Sequence, residues 1–422
     1  MGLLTELRGL NRDQRSAVAA SLLGWTLDAF DFFLLTFVVT EVAADLHVAK
    51  SAVQGSLMLT LAARPFGALF FGWLADRYGR KPVLQIDVAL YALFALMSAF
   101  APNLVWLIIL RTLFGFAMGG EWGIGASLVM ESIPARSRGP ISGLLQEGYA
   151  IGQLLGALAF WFAYPHFHAL FPAVSSWRVF FLLGVIPALL VLFIRRHVKE
   201  SPAWERRSRK ADGAALLASV RGYAPRALYV VVLMTAFNFF SHGTQDTYVT
   251  FLRVQHGFTP QMSGMLTALM NVGAIVGGVF FGTLSERIGR RRAMALAAAI
   301  ALPVAPLWAF GATPLLLGAG GFLMQISVQG AWGVIPAHLN ELSPPDARGS
   351  FPGAAYQFGN LIASVNAPFQ AAIAEGHKDA LGRDNYGLAL AIVAVTVSVA
   401  IILLTLLGPE ERGGDFMRAE VL

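Results

Sequence analysis

The sequence predicts an all-α membrane protein, with twelve transmembrane helices arranged as two pseudo-symmetric six-helix bundles. Three observations predict it. The 422-residue chain is 56% hydrophobic and 13% charged, with a mean hydropathy of +0.62, too apolar and too charge-poor for a water-soluble protein. Apolar runs of about 20 residues, each long enough to cross a hydrocarbon core of about 30 Å, recur along it. A shift of 210 residues superposes its second half on its first. A β-barrel is excluded, because barrel strands alternate apolar and polar over about 10 residues.

The runs fall near residues 16–40, 52–75, 82–101, 104–130, 140–164 and 178–195, then 226–250, 261–285, 293–311, 314–337, 350–374 and 386–408. The first follows the polar segment MGLLTELRGLNRDQRSAV. That segment has no short apolar core before a small-residue cleavage site, so the first helix is expected to serve as the targeting signal. The second and third runs are separated by GWLADRYGRK, the eighth and ninth by GTLSERIGRR, and the sixth and seventh by the basic stretch RRHVKESPAWERRSRKADGAALLASVRGYAPR. The expected division is therefore a bundle over 1–195, a basic linker over 196–225 and a second bundle over 226–422.

Basic residues set the orientation. With both termini in the cytoplasm of a cell (inner or plasma) membrane, Lys50, Arg178, Arg253, Lys378 and Arg383 fall outside, and Arg64 and Arg111 lie within helices. The other 24 of the 31 Lys and Arg fall inside, which satisfies the positive-inside rule. The pI of 9.7 is then explained by basic loops beside anionic lipid, and no nucleic-acid partner is expected. The absence of cysteine excludes disulfides, thiolate metal sites and Cys nucleophiles. The sequence has no GxxxxGK[ST], HExxH or Gly-x-Ser-x-Gly pattern. Neither ATP coupling, metal chemistry, an enzyme nor a cofactor is expected.

The repeat is carried by residues in several separate places. Gly72, Asp76, Arg77, Gly79 and Arg80 superpose on Gly282, Glu286, Arg287, Gly289 and Arg290. Glu131, Pro134, Arg138 and Gly139 superpose on Glu341, Pro344, Arg348 and Gly349, and Trp122-Gly123 on Trp332-Gly333. In each loop the acid and the arginines, with Lys81 in the first copy, can pair across one face in one conformer only. Asp76, Arg77, Arg80, Glu286, Arg287 and Arg290 are therefore candidate gating residues; the competing reading is a basic turn that only fixes topology. These loops, with Arg111, Gly115 and Gly119 in RTLFGFAMGG, resemble the signatures of the major facilitator superfamily over the whole chain. The resemblance implies two bundles that rock about a substrate site near the bilayer midplane.

Ionisable groups inside membrane segments are costly and mark substrate or proton paths by default. At about 1.5 Å per residue, Asp28, Arg64, Glu121 and Asn238 fall near mid-membrane, Arg111, His242 and Asp246 in the outer half, and Glu147 in the inner half. Asp28 superposes on Asn238 and Asp31 on Ser241. Asn238, His242 and Asp246, four apart, form one stripe on the seventh helix, with Ser241 and Gln245 beside it. Arg64 offers a planar guanidinium matched to a carboxylate. Asp28, Asp31, Glu121, His242 and Asp246 are candidates for proton coupling, with the His242–Asp246 pair first. Asp28 and Arg64 can also simply neutralise one another, and Arg111 can be a structural partner of Glu121 or Asp28. Glu147 is expected to pair with an arginine on the basic side, Gln325 and Gln329 to line the cavity or to bond across helices, and His338 to face a loop. The rest of the cavity wall is expected to be aromatic and aliphatic.

The spacing of Asn238, Ser241, His242, Thr244, Gln245, Asp246 and Thr250 resembles the seventh-helix motif of lactate permeases in the sialate:proton symporter group. Gln357 and Asn360 in AYQFGNLIAS, and Arg64, match the same pattern. What this implies is a monomeric proton-coupled symporter of small monocarboxylates such as lactate or pyruvate, with Arg64, Asn238, His242, Gln357 and Asn360 on the substrate. A symporter of a larger sugar acid such as sialic acid, or a uniporter or organic-anion exchanger, stays open.

Overall fold

A computed structural model describes residues 3–206, 223–414 and 416, so that 207–222 of the expected linker lie outside the described residues. The described chain is helical, and twelve crossings follow in order. In the first half they are α1 (Arg12–Phe37), α2 (Lys50–Tyr78), α3 (Arg80–Ser98), α4 (Leu104–Ser132), α5 (Arg138–Gln146, then Gly148–Phe162) and α6 (Ser176–Leu182, then Ile186–His197). In the second half they are α7 (Ala224–Gln245, then Tyr248–Val254), α8 (Pro260–Ile288), α9 (Arg290–Phe310), α10 (Pro314–Trp332, then Ile335–Leu342), α11 (Phe351–Ala363, then Asn366–Gly376) and α12 (Tyr386–Leu407). Ten of them are long and apolar enough to span a membrane by length and composition. The other two are α5, interrupted at Glu147, and α11, interrupted at Ser364 and Val365.

Local chemistry sets the ends. Asn11 opens α1 with a reciprocal capping box, its side chain accepting from Gln14 N at 2.9 Å while Gln14 accepts from Asn11 N at 3.0 Å. Asn103, Thr259, Thr313 and Asn385 cap α4, α8, α10 and α12 in the simpler way. The α2–α3 and α8–α9 turns pass through Gly79 and Gly289 at φ +107° and +98°, where only glycine is unstrained. Within each bundle a glycine lets two helices touch backbone to backbone. A Cβ on Gly67 of α2 would lie 1.7 Å from Phe116 O of α4, and one on Gly277 of α8 would lie 2.4 Å from Ile326 O of α10. Both residues of each pair are 210 apart from their counterparts.

The bundles meet on the face that carries the termini, the basic face. Asp76 at the end of α2 accepts from Gly349 N (2.7 Å), Ser350 N (3.0 Å) and Ser350 Oγ (2.7 Å), just before α11. Glu286 at the end of α8 accepts from Gly139 N of α5 at 2.7 Å. Each carboxylate thus sits on free N–H groups at the start of a helix in the other bundle, where the helix dipole also favours negative charge. Each is held by a fully buried arginine. Arg80 bridges Asp76 (3.1 Å) and Glu131 (3.0 Å), and Arg290 bridges Glu286 (2.6 Å) and Glu341 (2.9 Å).

The segments that follow each bundle complete the pattern. Glu200 accepts from the amides of Arg80 and Lys81 at 3.0 Å each, and Glu410, its 210-residue counterpart, from the amide of Arg290 at 2.5 Å. Ser201 donates to Glu131, and the Trp204 indole donates to Asp76 O at 2.9 Å. On the axis between bundles, the ring of Phe416 lies between the guanidinium groups of Arg138 and Arg348, at 3.4 and 3.8 Å from its centroid. These two arginines are again 210 apart. Arg77 and Arg287 are exposed and take no part in the clasp among the described contacts; Arg77 lies over Trp73 and Tyr78 instead. Of the six candidate gating residues, the four nearest the seam form it.

Two outcomes follow. Arg80→Ala would strand Glu131 and Asp76 without their buried counter-charge, a change that costs about 3–5 kcal/mol; thermal unfolding of the purified protein should show the loss, and Arg290→Ala a similar one. Asp76→Asn keeps the shape but removes the charge from bonds worth about 1.5–3 kcal/mol each. A cysteine placed at the fully buried Ala75 beside Gly349, in a chain with no other cysteine, should react faster with a water-soluble thiol reagent in the Asp76→Asn background than without it.

Candidate functional site

Above the closed seam the bundles diverge around a cavity of about 400 Å³. Its floor is aromatic. Trp122 and its counterpart Trp332 both pack on Tyr356, at centroid distances of 4.8 and 5.5 Å, and Trp25 lies 6.4 Å from the same ring. The exposed Asp246 and Val249 of α7 mark its open end, on the side away from the termini. Apolar surface depressions elsewhere, such as that formed by Ile275, Val276 and Phe280, lie on the outside of the helices and bring little polar chemistry together.

Arg64 lines the first-half wall and is 2% exposed. Its Nη2 lies 3.6 Å from Asp28 Oδ2, and its charge lies 5.9 Å over the Trp25 ring. Its Nε and Nη2 have no hydrogen-bond partner, and neither does either oxygen of Asp28. The pair is therefore an ion pair without the geometry that would satisfy it, at the edge of the cavity that Arg64 lines.

The second-half wall carries the expected α7 stripe. His242 Nδ1 meets Asp246 Oδ2 at 3.0 Å, and His242 Nε2 meets Asn360 Oδ1 of α11 at 2.8 Å. The ring thus bridges α7 and α11, with one nitrogen on the Asp246 carboxylate and the other on the Asn360 amide. Asn238, one turn below His242, donates to Met234 O (2.8 Å) and Tyr356 O (3.4 Å) and lines the cavity. The structure thus brings Arg64, Asn238, His242, Asp246 and Asn360 into one chamber.

Other candidates lie elsewhere. Gln357 is fully buried behind the wall, with neither amide atom bonded, so it is not on the cavity surface expected for a substrate ligand. Asp31 and Glu121 are buried inside the first bundle: Asp31 packs near Gly184, and Glu121 packs on Gly24. Arg111 donates to Asp31 O at 3.4 Å and lies 4.4 Å over Phe181, so its partner is neither Glu121 nor Asp28. Among the described residues Glu147 pairs with no arginine; it is buried against Gly278 of α8. His338 is fully buried in the second segment of α10 rather than facing a loop.

Gln325 and Gln329 line the cavity, and Gln325 also bonds across helices, accepting from Gln245 at 3.0 Å. The rest of the wall is more polar than expected, because Gln146, Gln153, Gln245 and Asn271 line it as well. Scattered amides in apolar runs signalled this in the sequence, but which side of each helix meets the cavity depends on the pairing of helices across the seam. Asp87 was missed as well. It is a lone acid in the α3 run, fully buried with neither oxygen bonded, and close to Gly120 beside Glu121.

Comparison with known proteins agrees with this architecture. A family model described as Major Facilitator Superfamily matches residues 21–368 and 231–415. Over 94% of its length the chain is 28% identical to the sialic acid transporter NanX of Escherichia coli (strain K12), covering 95% of that protein. Over 98% of its length it is 26% identical to a carboxylic acid transporter protein homolog of Saccharomyces cerevisiae, covering 71% of that protein. Its fold matches the proton:xylose symporter XylE bound to 6-bromo-6-deoxy-D-glucose with a TM-score of 0.75 at 19% identity, over 95% of this chain and 97% of that one. The protein is an integral membrane transporter of small organic substrates, not an enzyme. The chain belongs to the Major Facilitator Superfamily.

Proposed function

We propose that the protein is a proton-coupled symporter of organic monocarboxylates of the lactate and pyruvate type, working by alternating access as a monomer in the cell membrane. The observation that carries this is one cavity with an under-bonded arginine on one wall and a His–Asp pair on the other. By the positive-inside rule the closed basic face is cytoplasmic, so the cavity opens to the exterior.

A carboxylate entering the cavity competes with Asp28 for Arg64, because two parallel N–H donations from the guanidinium fork to a carboxylate are stronger than a 3.6 Å contact. Asp28 then loses its counter-charge while fully buried, and a proton neutralises it more cheaply than any rearrangement of the helices. His242 and Asp246, half-exposed at 30% and 43% of their side chains, receive that proton from the open side. Asn360 holds the ring in place, and Asn238, whose amide N–H groups donate to Met234 O and Tyr356 O, keeps its Oδ1 to accept from a hydroxyl beside the carboxylate. Anion and proton together leave the cavity charge unchanged, and the loaded carrier can reorient. A carrier holding the anion alone buries an unpaired charge, so it reorients poorly.

A second reading is favoured by the six amides of the wall. They offer more donors and acceptors than a three-carbon acid can use, and they suit a hydroxylated sugar acid, as does the similarity to NanX. Counterflow in proteoliposomes separates the two: exchange of labelled lactate supports the first, and exchange of sialate without lactate the second.

An imposed acid-outside gradient should drive uphill uptake of the acid, and equal uptake with and without it would exclude symport. Arg64→Ala should weaken acid binding about 100-fold or more, within the range expected for removing one partner of a buried charge pair. Asp246→Asn should slow gradient-driven uptake more than it slows exchange; equal loss of both would assign Asp246 to substrate binding instead.

A further inference from the structure

Glu147 stands at the break in α5, between Arg138–Gln146 and Gly148–Phe162. Its neighbours Gln146 and Tyr149 face the cavity, whereas its own side chain turns into the seam between bundles. It is 2% exposed. A Cβ built on Gly278 of α8 would lie 1.9 Å from its Oε1 and 3.4 Å from the carbonyl oxygen of Gln329 on α10. Oε1 has no hydrogen-bond partner. The carboxyl therefore presses on glycine backbone of the opposite bundle with a carbonyl oxygen nearby.

No cation answers it among the described residues. On α8, Glu286 is engaged by Arg290 and the Gly139 amide, and Arg287 is exposed at the surface. On α10, Glu341 is engaged by Arg290, and His338 is buried without a hydrogen-bond partner. On α1 and α4, Asp28 faces Arg64, Glu121 packs on Gly24, and Glu131 binds Arg80. Glu6 accepts from Ser137, and Arg138 donates to Gly414 O.

An ionised carboxylate in such a place is heavily penalised, whereas a neutral acid can donate to a neighbouring carbonyl. The second half supports this independently. The 210-residue counterpart of Glu147 is Gln357, the neutral isostere, likewise buried and unbonded.

We propose that Glu147 is a proton-operated lock on the seam: it holds a proton while the basic face is closed and releases it when the bundles part and water reaches the carboxyl. This deepens the proton-coupled reading above, since closure and proton uptake become one event, but the lock acts without substrate.

The test is a distance measurement. The chain has no cysteine, so Arg136→Cys and Asp346→Cys, exposed and on opposite bundles of the basic face, can carry spin labels for pulsed electron–electron resonance. In substrate-free protein titrated from about pH 5 to about pH 8.5, the long-distance population should grow with pH, by at most about tenfold in ratio per unit for a single group. Glu147→Gln should stay at the short distance throughout, and Glu147→Leu should do the same, which guards against an effect of the amide itself. A label pair that ignores pH in the parent overturns the lock, as does a Glu147→Gln titration that matches the parent. If the shift survives in Glu147→Gln and disappears in Asp246→Asn, the lock falls and the proton-coupled reading stands. If the lock is seen but an acid gradient drives no uptake, the reverse holds.

Discussion

Two carboxylates carry the whole arrangement. Asp76 and Glu286 each cap the start of a helix in the opposite bundle, and each is aimed by a buried arginine that also binds a glutamate of its own bundle. Hydrogen bonds to free helix N–H groups are strong here because the acceptor is charged, the helix dipole agrees in sign, and little water competes. They are also narrow in range: a separation of an ångström or two removes them. A seam held this way is either closed or open, with little in between, which is the behaviour a two-state carrier needs. The cavity exists because the seam is confined to one face.

That dependence explains why so much was legible in the sequence. The clasp is built twice with the same spacing, so Asp76 and Arg80 could be matched to Glu286 and Arg290 before any helix was placed. Asn238, His242 and Asp246 were legible because a four-residue stripe fixes a face by itself. Residues whose role depends on a partner helix were not. Gln357 and Asn360 are three apart on α11, yet one is buried behind the wall and the other bonds His242. Glu147 looked like the partner of an arginine because basic residues lie nearby in sequence, but the break in α5 turns it onto Gly278. The amides of the wall come from several helices, and only their assembly makes the cavity polar.

The glycines belong to the same logic. Gly139 and Gly143 of α5 lie against Gly282 and Gly278 of α8, so at these points the two bundles touch backbone to backbone. Close backbone contact of this kind leaves room for only a few side chains in the seam, among them Glu147 and Ser142. The Phe416 ring between Arg138 and Arg348 adds an aromatic contact to that rim from the end of the chain.

Symmetry in the scaffold contrasts with asymmetry in the cargo site. The 210-residue shift pairs Asp28 with Asn238, Arg64 with Ala274, Asp87 with Ala297 and Glu121 with Ala331. One bundle therefore keeps the buried charges and the other replaces them with small or neutral residues, while His242, Asp246 and Asn360 face Phe32, Thr36 and Ala150 in the repeat. Had both halves kept an arginine, the empty cavity would hold two like charges facing each other, and reorientation without cargo would be as costly as with the wrong cargo. The fixed cation Arg64 therefore stands with Asp28 on one wall, and the His242–Asp246 pair stands on the other. In the reading proposed above, an entering carboxylate takes Arg64 while the proton passes from the pair to Asp28, so the charge changes on both walls belong to one event.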